Sequence, residues 1–383
     1  MMRISDFFTK KRHIFPTKSP RADGVLLTLI LILVTLGSVM VASASYAYAE
    51  SRYGDSGYFT RKQIVFVAVG ILAMLVTSRI PAERLRRLAY PSYGLTVLLL
   101  LATLAFGLTG NGAQRWISIG PLTFQPSELA KLSLVLTLGA YFDTHQAAIA
   151  RRRLLYGVWI PLAITGFLCL LVMLGRHLSG LIIIATIGIS VMFLLGSSAK
   201  ALGLLCGCGV LGVGTLALTL DYARERITVW QNPAAYPLEG GWQTLQGLMA
   251  IGSGGFFGLG LGNSRLKYSW VSEPANDFIF TITCEELGFI GAAFILLCFF
   301  LFVRRGYLIA IRNDCIFAKA IALGITSKVA IQVLLNVAVI TNTIPNTGIS
   351  LPFFSYGGSS LLMLFVEMGI LLSVSRTARL AYR

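Results

Sequence analysis

The chain's 383 residues are 56% hydrophobic and only 13% charged, and its mean hydropathy is +0.76. This composition excludes a soluble globular domain, a disordered chain and a disulfide scaffold, and points to an all-α polytopic membrane protein. The formal charge of +16 does not indicate nucleic acid, because the basic residues form short clusters between apolar spans, where they meet a membrane surface.

Residues 1–23 form a basic tail containing Lys10, Lys11 and Arg12. The first predicted span covers 24–45. Its small residues Ala42, Ser43 and Ala44 imitate a signal-peptide cleavage site, but the apolar run is long and more spans follow, so it reads as a retained helix. Spans over 62–79 and 88–108 come next. The following loop carries Asn111-Gly112-Ala113-Gln114-Arg115-Trp116, and Phe124-Gln125-Pro126-Ser127-Glu128-Leu129-Ala130-Lys131 opens the fourth span, 128–143. Pro126 suits the first turn of a helix and Glu128 the positive end of its dipole. Glu128 and Lys131 stand three apart on one face and are expected to pair inside the membrane, with a substrate role layered on that pair.

Spans over 155–174 and 179–196 flank a tight turn that sets the cation of Arg176, the imidazole of His177 and the hydroxyl of Ser179 side by side. A lone histidine is usually structural, but these neighbours make His177 a binding candidate. After a seventh span over 200–220 comes a segment of about 55 residues, 221–276, and a connection of that length usually carries function. Its first part, Arg224 to Pro233, is amphipathic, as in a helix lying among headgroups. Its second part, Gln243 to Gly262, is apolar and dense in glycine, which allows close backbone approach to a chain or ligand. Gly258-x-Gly260-x-Gly262 has the wrong spacing for a dinucleotide fingerprint. Arg265 and Lys267 then add positive charge before Glu273 and Asp277.

Asp277 opens the eighth span, 277–303. An Asp there serves either as a helix cap or as a working carboxylate at the membrane rim, with water on one side and substrate on the other. Spans over 317–341 and 359–375 complete a set of about ten. Between them, Pro345 to Ser360 is too rich in Pro, Gly and hydroxyls for a helix end, and such backbone survives at membrane depth only beside protein or a watery cavity. Its exposed amides suit a phosphate, which makes Ser355, Gly357, Gly358 and Ser359 candidates. A turn that simply packs helices fits equally well.

The basic clusters Lys10 to Arg12, Arg84 to Arg87, Arg151 to Arg153, Arg304-Arg305 and Arg376 with Arg379 all fall on one side of these spans. Both termini are therefore expected in the cytoplasm, with 377–383 as a short cytoplasmic tail and 221–276 as an extracytoplasmic loop between spans seven and eight. Asp277 then faces outward. The six cysteines are scattered and read as core thiols.

Taken together, Asn111 to Trp116, Gln125 to Lys131, Gly252-Ser253-Gly254-Gly255, Asn276 to Phe280 through Glu285-Glu286-Leu287-Gly288, and Leu351 to Ser360 resemble the SEDS family (shape, elongation, division and sporulation), which includes FtsW, RodA and SpoVE. The resemblance covers residues 24–376. It implies a peptidoglycan glycosyltransferase that polymerises lipid II on the outer face of the cytoplasmic membrane and releases undecaprenyl pyrophosphate. Asp277 matches the family's essential aspartate, with the implied role of general base for, or positioning of, the acceptor 4-hydroxyl. Arg115, Lys131, Arg176, Arg265 and Lys267 are candidates for the leaving pyrophosphate, Arg115 first, and a divalent cation, Mg or Mn, is an optional aid. Trp116, Gln125, Ser127, Glu128, His177, Ser179, Glu273 and Glu286 complete the candidate substrate site.

A class B penicillin-binding protein, a transpeptidase, is the implied partner, alongside other division or elongation proteins. The chain departs from the commoner pattern in carrying Arg176-His177 where Pro-Asp is frequent, and Ser272, Ala275-Asn276 and Asn346 at positions usually filled otherwise. His177-Leu178-Ser179-Gly180 and Glu273 to Asp277 bring it nearest the division-type FtsW branch of Gram-positive bacteria. A lipid II flippase and a non-catalytic scaffold are the alternatives. A flippase needs polar groups along a path from both sides, whereas these motifs gather on one side.

Overall fold

The computed structural model describes residues 22–378 apart from 111–112, 120–121, 152, 220–226, 237–239 and 269–274. Glu273 and residues 224–226 of the expected interfacial helix thus lie outside the described residues. Helix α1 (Gly24–Tyr53) starts on Asp23, whose carboxylate accepts from the Leu26 amide at 2.8 Å, and ends on left-handed Gly54. Helices α2 (Tyr58–Thr77) and α3 (Ala82–Phe106) follow. A small antiparallel sheet of β1 (Leu108–Gly110), β2 (Ala113–Ile119) and β3 (Leu122–Phe124) then leads into α4 (Pro126–Thr144).

The short helix α5 (Gln146–Ala150) and a π-helical turn (Leu155–Trp159) precede α6 (Ile160–Leu174), α7 (Leu178–Leu194) and α8 (Ala199–Thr219). Next come α9 (227–231) and α10 (Gly240–Ser253), then α11 (Ile279–Ile311), α12 (Ile316–Ile340) and α13 (Gly358–Ser375).

Among the described residues, seven helical segments are long and apolar enough to cross a membrane: α1, α2, α3, Leu155–Leu174, α11, α12 and α13. Helix α4 carries Glu128, Lys131 and Asp143 within its 19 residues, and α7 has 17. The chain is therefore a multi-pass membrane protein. Helix α4 sits at the centre of the bundle, buried along nearly its whole length between α3, α7 and α12. Its charges are consequently surrounded by protein, the only setting in which ionised groups persist at membrane depth. Helices α2 and α3 lie outside it and expose Ile64, Val65, Leu72, Leu95 and Leu98, as lipid-facing surfaces do.

The described part of segment 221–276 carries helical structure of its own in α9 and α10. Helix α10 lies along the first half of α11, with Gly247 against Phe278 and Gly254 against Cys284, so the two helices descend side by side. Helix α11 breaks at Gly288, where φ is 65° and ψ −170°. The break strands backbone groups, and the loop after α10 satisfies them. The amides of Leu259 and Gly260 donate to the carbonyls of Glu285 and Glu286, each at 3.0 Å. In return, Phe289 and Ile290 donate to the carbonyls of Gly255 and Phe256 at 2.9 and 3.2 Å. Backbone pairing of this kind is what lets a broken helix exist within a membrane bundle.

Gly288 occupies a region of backbone space essentially reserved for glycine, where another residue costs on the order of 1–3 kcal/mol. A Cβ there would also abut the backbone of Phe256 and Gly258. Gly288→Ala is expected to lower the thermal unfolding midpoint of the detergent-purified protein. An unchanged midpoint would show that the break relaxes freely.

Candidate active site

Asp277 lies within a turn over residues 275–278, two residues ahead of α11, and is half-buried. The cap reading of Asp277 is corrected here: Phe278 occupies the N-cap position of α11 and makes no side-chain cap bond. Three successive carbonyls fix the turn from one side. The Tyr356 amide donates to Ala275 O at 2.8 Å, Ser355 Oγ to Asn276 O at 2.9 Å, and Asn336 Nδ2 to Asp277 O at 2.9 Å. Ser355 Oγ in turn accepts from the Leu351 amide at 2.7 Å.

The Pro- and Gly-rich segment between α12 and α13 is thus wrapped around the Asp277 turn. Gly348, at φ 68°, lies so close that a Cβ there would come within 3.1 Å of Asp277 Oδ2. Ser179 Oγ donates to Thr347 O and ties the start of α7 to the same segment.

Beside this turn lies a cleft of about 330 Å³, including its open mouth, lined by Glu128, Lys328, Gln332, Ser350, Ser355 and Ser360 among others. Two of its lining residues, Glu128 and Lys328, belong to a buried cluster of four charges. Lys131 Nζ meets Glu128 Oε1 at 2.6 Å, Lys328 Nζ lies 3.7 Å from Glu128 Oε2, and Lys328 donates to both oxygens of Glu367 at 2.7 Å. All four side chains are almost fully buried, and their formal charges sum to zero.

The expected Glu128–Lys131 pair is therefore one half of a tetrad. Its other half went unnoticed in the sequence, although Lys328, Gln332 and Asn336 recur every four residues and make a polar stripe on one face of an apolar span. Glu367, an acid within the last span, carried the same signal.

On the other side of the first turn of α4, a second cavity of about 260 Å³ is lined by Gln114, Arg115, Ser127 and His177 together with apolar residues of α3 and α6. Gln125 Nε2 donates to His177 Nε2 at 3.4 Å. Burial, reinforced by the charges of Arg115 and Lys131 and opposed by Glu128, pushes His177 from 6.5 down to about 3. The native imidazole is neutral, while an unfolded histidine takes up a proton near 6.5. The native state thus binds fewer protons, so stability falls as pH drops below 6.5 and keeps falling towards about 3, by up to about 1.4 kcal/mol per pH unit. His177→Gln is expected to narrow the difference in melting temperature between about pH 7.5 and about pH 5, and an equally large difference in the variant would remove His177 from the acid response.

A third polar group sits at the α11 break. Glu286 accepts from Ser43 Oγ at 2.6 and 2.7 Å and from Lys267 Nζ at 3.1 Å. Glu285 accepts from the Arg265 amide at 3.0 Å and from Ser264 Oγ. Lys131 and Lys267 are each 2% exposed and paired with buried carboxylates, for Lys131 the pairing with Glu128 that its spacing predicts. Glu286 is likewise committed to Lys267 and not to the cleft. Of the other cations, Arg176 and Arg265 are exposed and Arg115 is half-buried. Arg176 has a left-handed φ of 56°.

Trp116 is half-buried on β2. Gly357, Gly358 and Ser359 lie at the start of α13, with Gly358 packed on the Phe66 ring. Among the described residues, no group of three or more His, Cys, Asp or Glu side chains could hold a metal ion.

The family model described as cell cycle protein, FtsW/RodA/SpoVE, matches residues 24–380. Stage V sporulation protein E of Bacillus subtilis (strain 168) is 37% identical over 369 residues, spanning 95% of this chain and 99% of its own. The probable peptidoglycan glycosyltransferase FtsW of Trichlorobacter lovleyi is 36% identical over 377 residues, spanning 96% of each chain. Among solved structures, a chain of a peptidoglycan synthase complex that coordinates polymerization and crosslinking superposes with a TM-score of 0.79 at 29% identity, covering 94% of this chain and 98% of that one. The rod shape determining protein RodA of Thermus thermophilus gives 0.69 at 28% identity, with 94% and 98% coverage. This chain belongs to the FtsW/RodA/SpoVE family.

Proposed function

We propose that Asp277 is the base of a glycosyl transfer carried out at the outer face of the cytoplasmic membrane. The chain is a peptidoglycan glycosyltransferase, the activity for which its relatives are named. The observation that carries the catalytic assignment is the set of three hydrogen bonds to the successive carbonyls of Ala275, Asn276 and Asp277, which hold the turn bearing this carboxylate beside a charged cleft. A catalytic group must be held within about 0.5 Å of its productive position by supports of this kind.

In the proposed reaction the acceptor 4-hydroxyl of lipid II gives its proton to Asp277 as its oxygen attacks the anomeric carbon of the lipid-linked growing strand. The bond to undecaprenyl pyrophosphate breaks, the configuration inverts, and a β-1,4 link forms. The departing pyrophosphate needs positive charge. With Lys131 and Lys267 committed elsewhere, Arg115, Arg176 and Arg265 are the cations we assign to it. Arg115 ranks first because it lines the second cavity together with Ser127 and His177. No step is routed through a metal.

The ten helices α1 to α4, α6 to α8 and α11 to α13 are taken as the crossings, with both termini in the cytoplasm as the basic clusters require. We assign a class B penicillin-binding protein as partner, since a solved relative is a chain of a complex coordinating polymerization and crosslinking. A role in division is our reading, although relatives named for both division and sporulation match the chain.

The test is to purify the chain with its cognate transpeptidase, supply lipid II, and look for glycan strands by gel. Strand formation is expected. Absence of strands together with movement of lipid II across vesicles would replace the enzyme by a transporter.

A further inference from the structure

Asn336 lies on α12, not on the segments that carry the family motifs, and it is 0% exposed. Its Nδ2 donates both to Asp277 O at 2.9 Å and to Ile349 O at 2.7 Å. One amide group thus joins the backbone of the catalytic turn to the backbone of the segment that wraps it. It shares the α12 stripe with Lys328 and Gln332, both of which line the cleft.

Its Oδ1 is buried with no hydrogen-bond partner among the described residues. A buried unsatisfied oxygen costs on the order of 1–3 kcal/mol, whereas an apolar residue of similar shape would carry no such penalty. The hydrogen bonds that its side chain makes to the described protein are therefore the two it donates. A local rule broken in this way is characteristic of functional sites.

We propose that Asn336 is a positioning residue for the glycosyl transfer, acting by fixing Asp277 against the segment containing Ile349 so that the carboxylate meets the acceptor hydroxyl. Ser355 and Tyr356 hold the two preceding carbonyls, but both belong to the wrapping segment and move with it. Asn336 alone among these three donors is anchored in a buried transmembrane helix. Without it, the turn and its wrapping segment lose their bonds from Asn336 on α12, the helix that carries Lys328 and Gln332 into the cleft. The inference rests on the assignment of Asp277 as the catalytic carboxylate.

The test compares Asn336→Asp and Asn336→Thr with the wild type, each purified in complex with the transpeptidase and assayed on lipid II. Asn336→Asp keeps the shape but turns a donor towards two carbonyls into an acceptor. Asn336→Thr keeps one donor. For Asn336→Asp the expected result is a fall in kcat of about a hundredfold, the scale of a misplacement near 1 Å, with KM for lipid II little changed and the acid limb of the kcat–pH profile displaced. Asn336→Thr is expected to fall between Asn336→Asp and the wild type. A purely structural role would lower thermal stability and the yield of active protein while leaving kcat per active molecule and the acid limb in place.

If Asn336→Asp does not accumulate in the membrane, Asn336→Thr carries the test. Wild-type kcat and an unmoved acid limb in the variants that accumulate would overturn the proposal. Asp277→Asn run in parallel separates the two assignments. If it is active, the role of Asp277 fails; if it is inactive while the Asn336 variants turn over normally, only this inference fails.

Discussion

Asp277→Asn is expected to lower the turnover of lipid II polymerisation by about 10²–10⁴-fold, the usual contribution of a general base. Folding should survive the change, because the bonds that pin the turn all go to the main-chain carbonyls of Ala275, Asn276 and Asp277, and an asparagine keeps every one of them. The substitution also separates two roles. An asparagine can still accept a hydrogen bond from the acceptor hydroxyl through Oδ1, but it cannot take the proton. If Asp277 only orients the acceptor, Asp277→Asn should retain turnover within about tenfold of the wild type, because one neutral hydrogen bond is worth only about 1 kcal/mol. A loss of several hundredfold with lipid II still bound assigns proton removal. The measurement is the initial rate of strand formation at saturating lipid II, paired with a binding assay on the same preparation.

Much of this arrangement is readable in the sequence because membrane burial makes polar residues conspicuous. Helix α4 opens at Pro126 as its sequence predicts, and Glu128 meets Lys131 as their spacing requires. The tetrad was missed because pairing rules of the i, i+3 kind act within one helix, whereas Lys328 finds Glu367 on α13, 39 residues away. Only the packing of α4, α12 and α13 brings those charges together.

Segment 221–276 is only partly legible in the sequence. Helix α10 is shorter than a membrane span, and its glycines weaken any helix signal. Just beyond its end, Gly254 and Gly258 admit the backbone of α11 near its break, the close approach that the glycine density predicts. The break itself depends on pairing with a loop more than twenty residues upstream, so its cause does not lie in the local sequence. Lys267 pairs with Glu286 across the break, 19 residues away, and no local spacing rule reveals that partner.

Lys328→Met is expected to be the most destabilising single change in the charge cluster. It leaves Glu367, itself 0% exposed, without the two 2.7 Å bonds that neutralise it. Breaking a buried pair by removing one partner costs about 3–5 kcal/mol, a large share of the roughly 5–15 kcal/mol that holds a typical domain together. Glu128 loses less, since Lys131 stays at 2.6 Å.

Removing both partners in Lys328→Met/Glu367→Leu should recover most of the stability, because replacing a whole buried pair by apolar residues is often neutral or favourable. Thermal unfolding of the wild type, the single variant and the double variant in one detergent tests this. A double variant no more stable than Lys328→Met would mean that the lysine is held chiefly by Glu128. Activity then discriminates further. Lys328 lines the cleft with Glu128, so a stable double variant that no longer polymerises lipid II would place the Lys328 charge in the reaction itself. One that polymerises normally would confine the Lys328–Glu367 half of the tetrad to holding α12 and α13 together beneath the site.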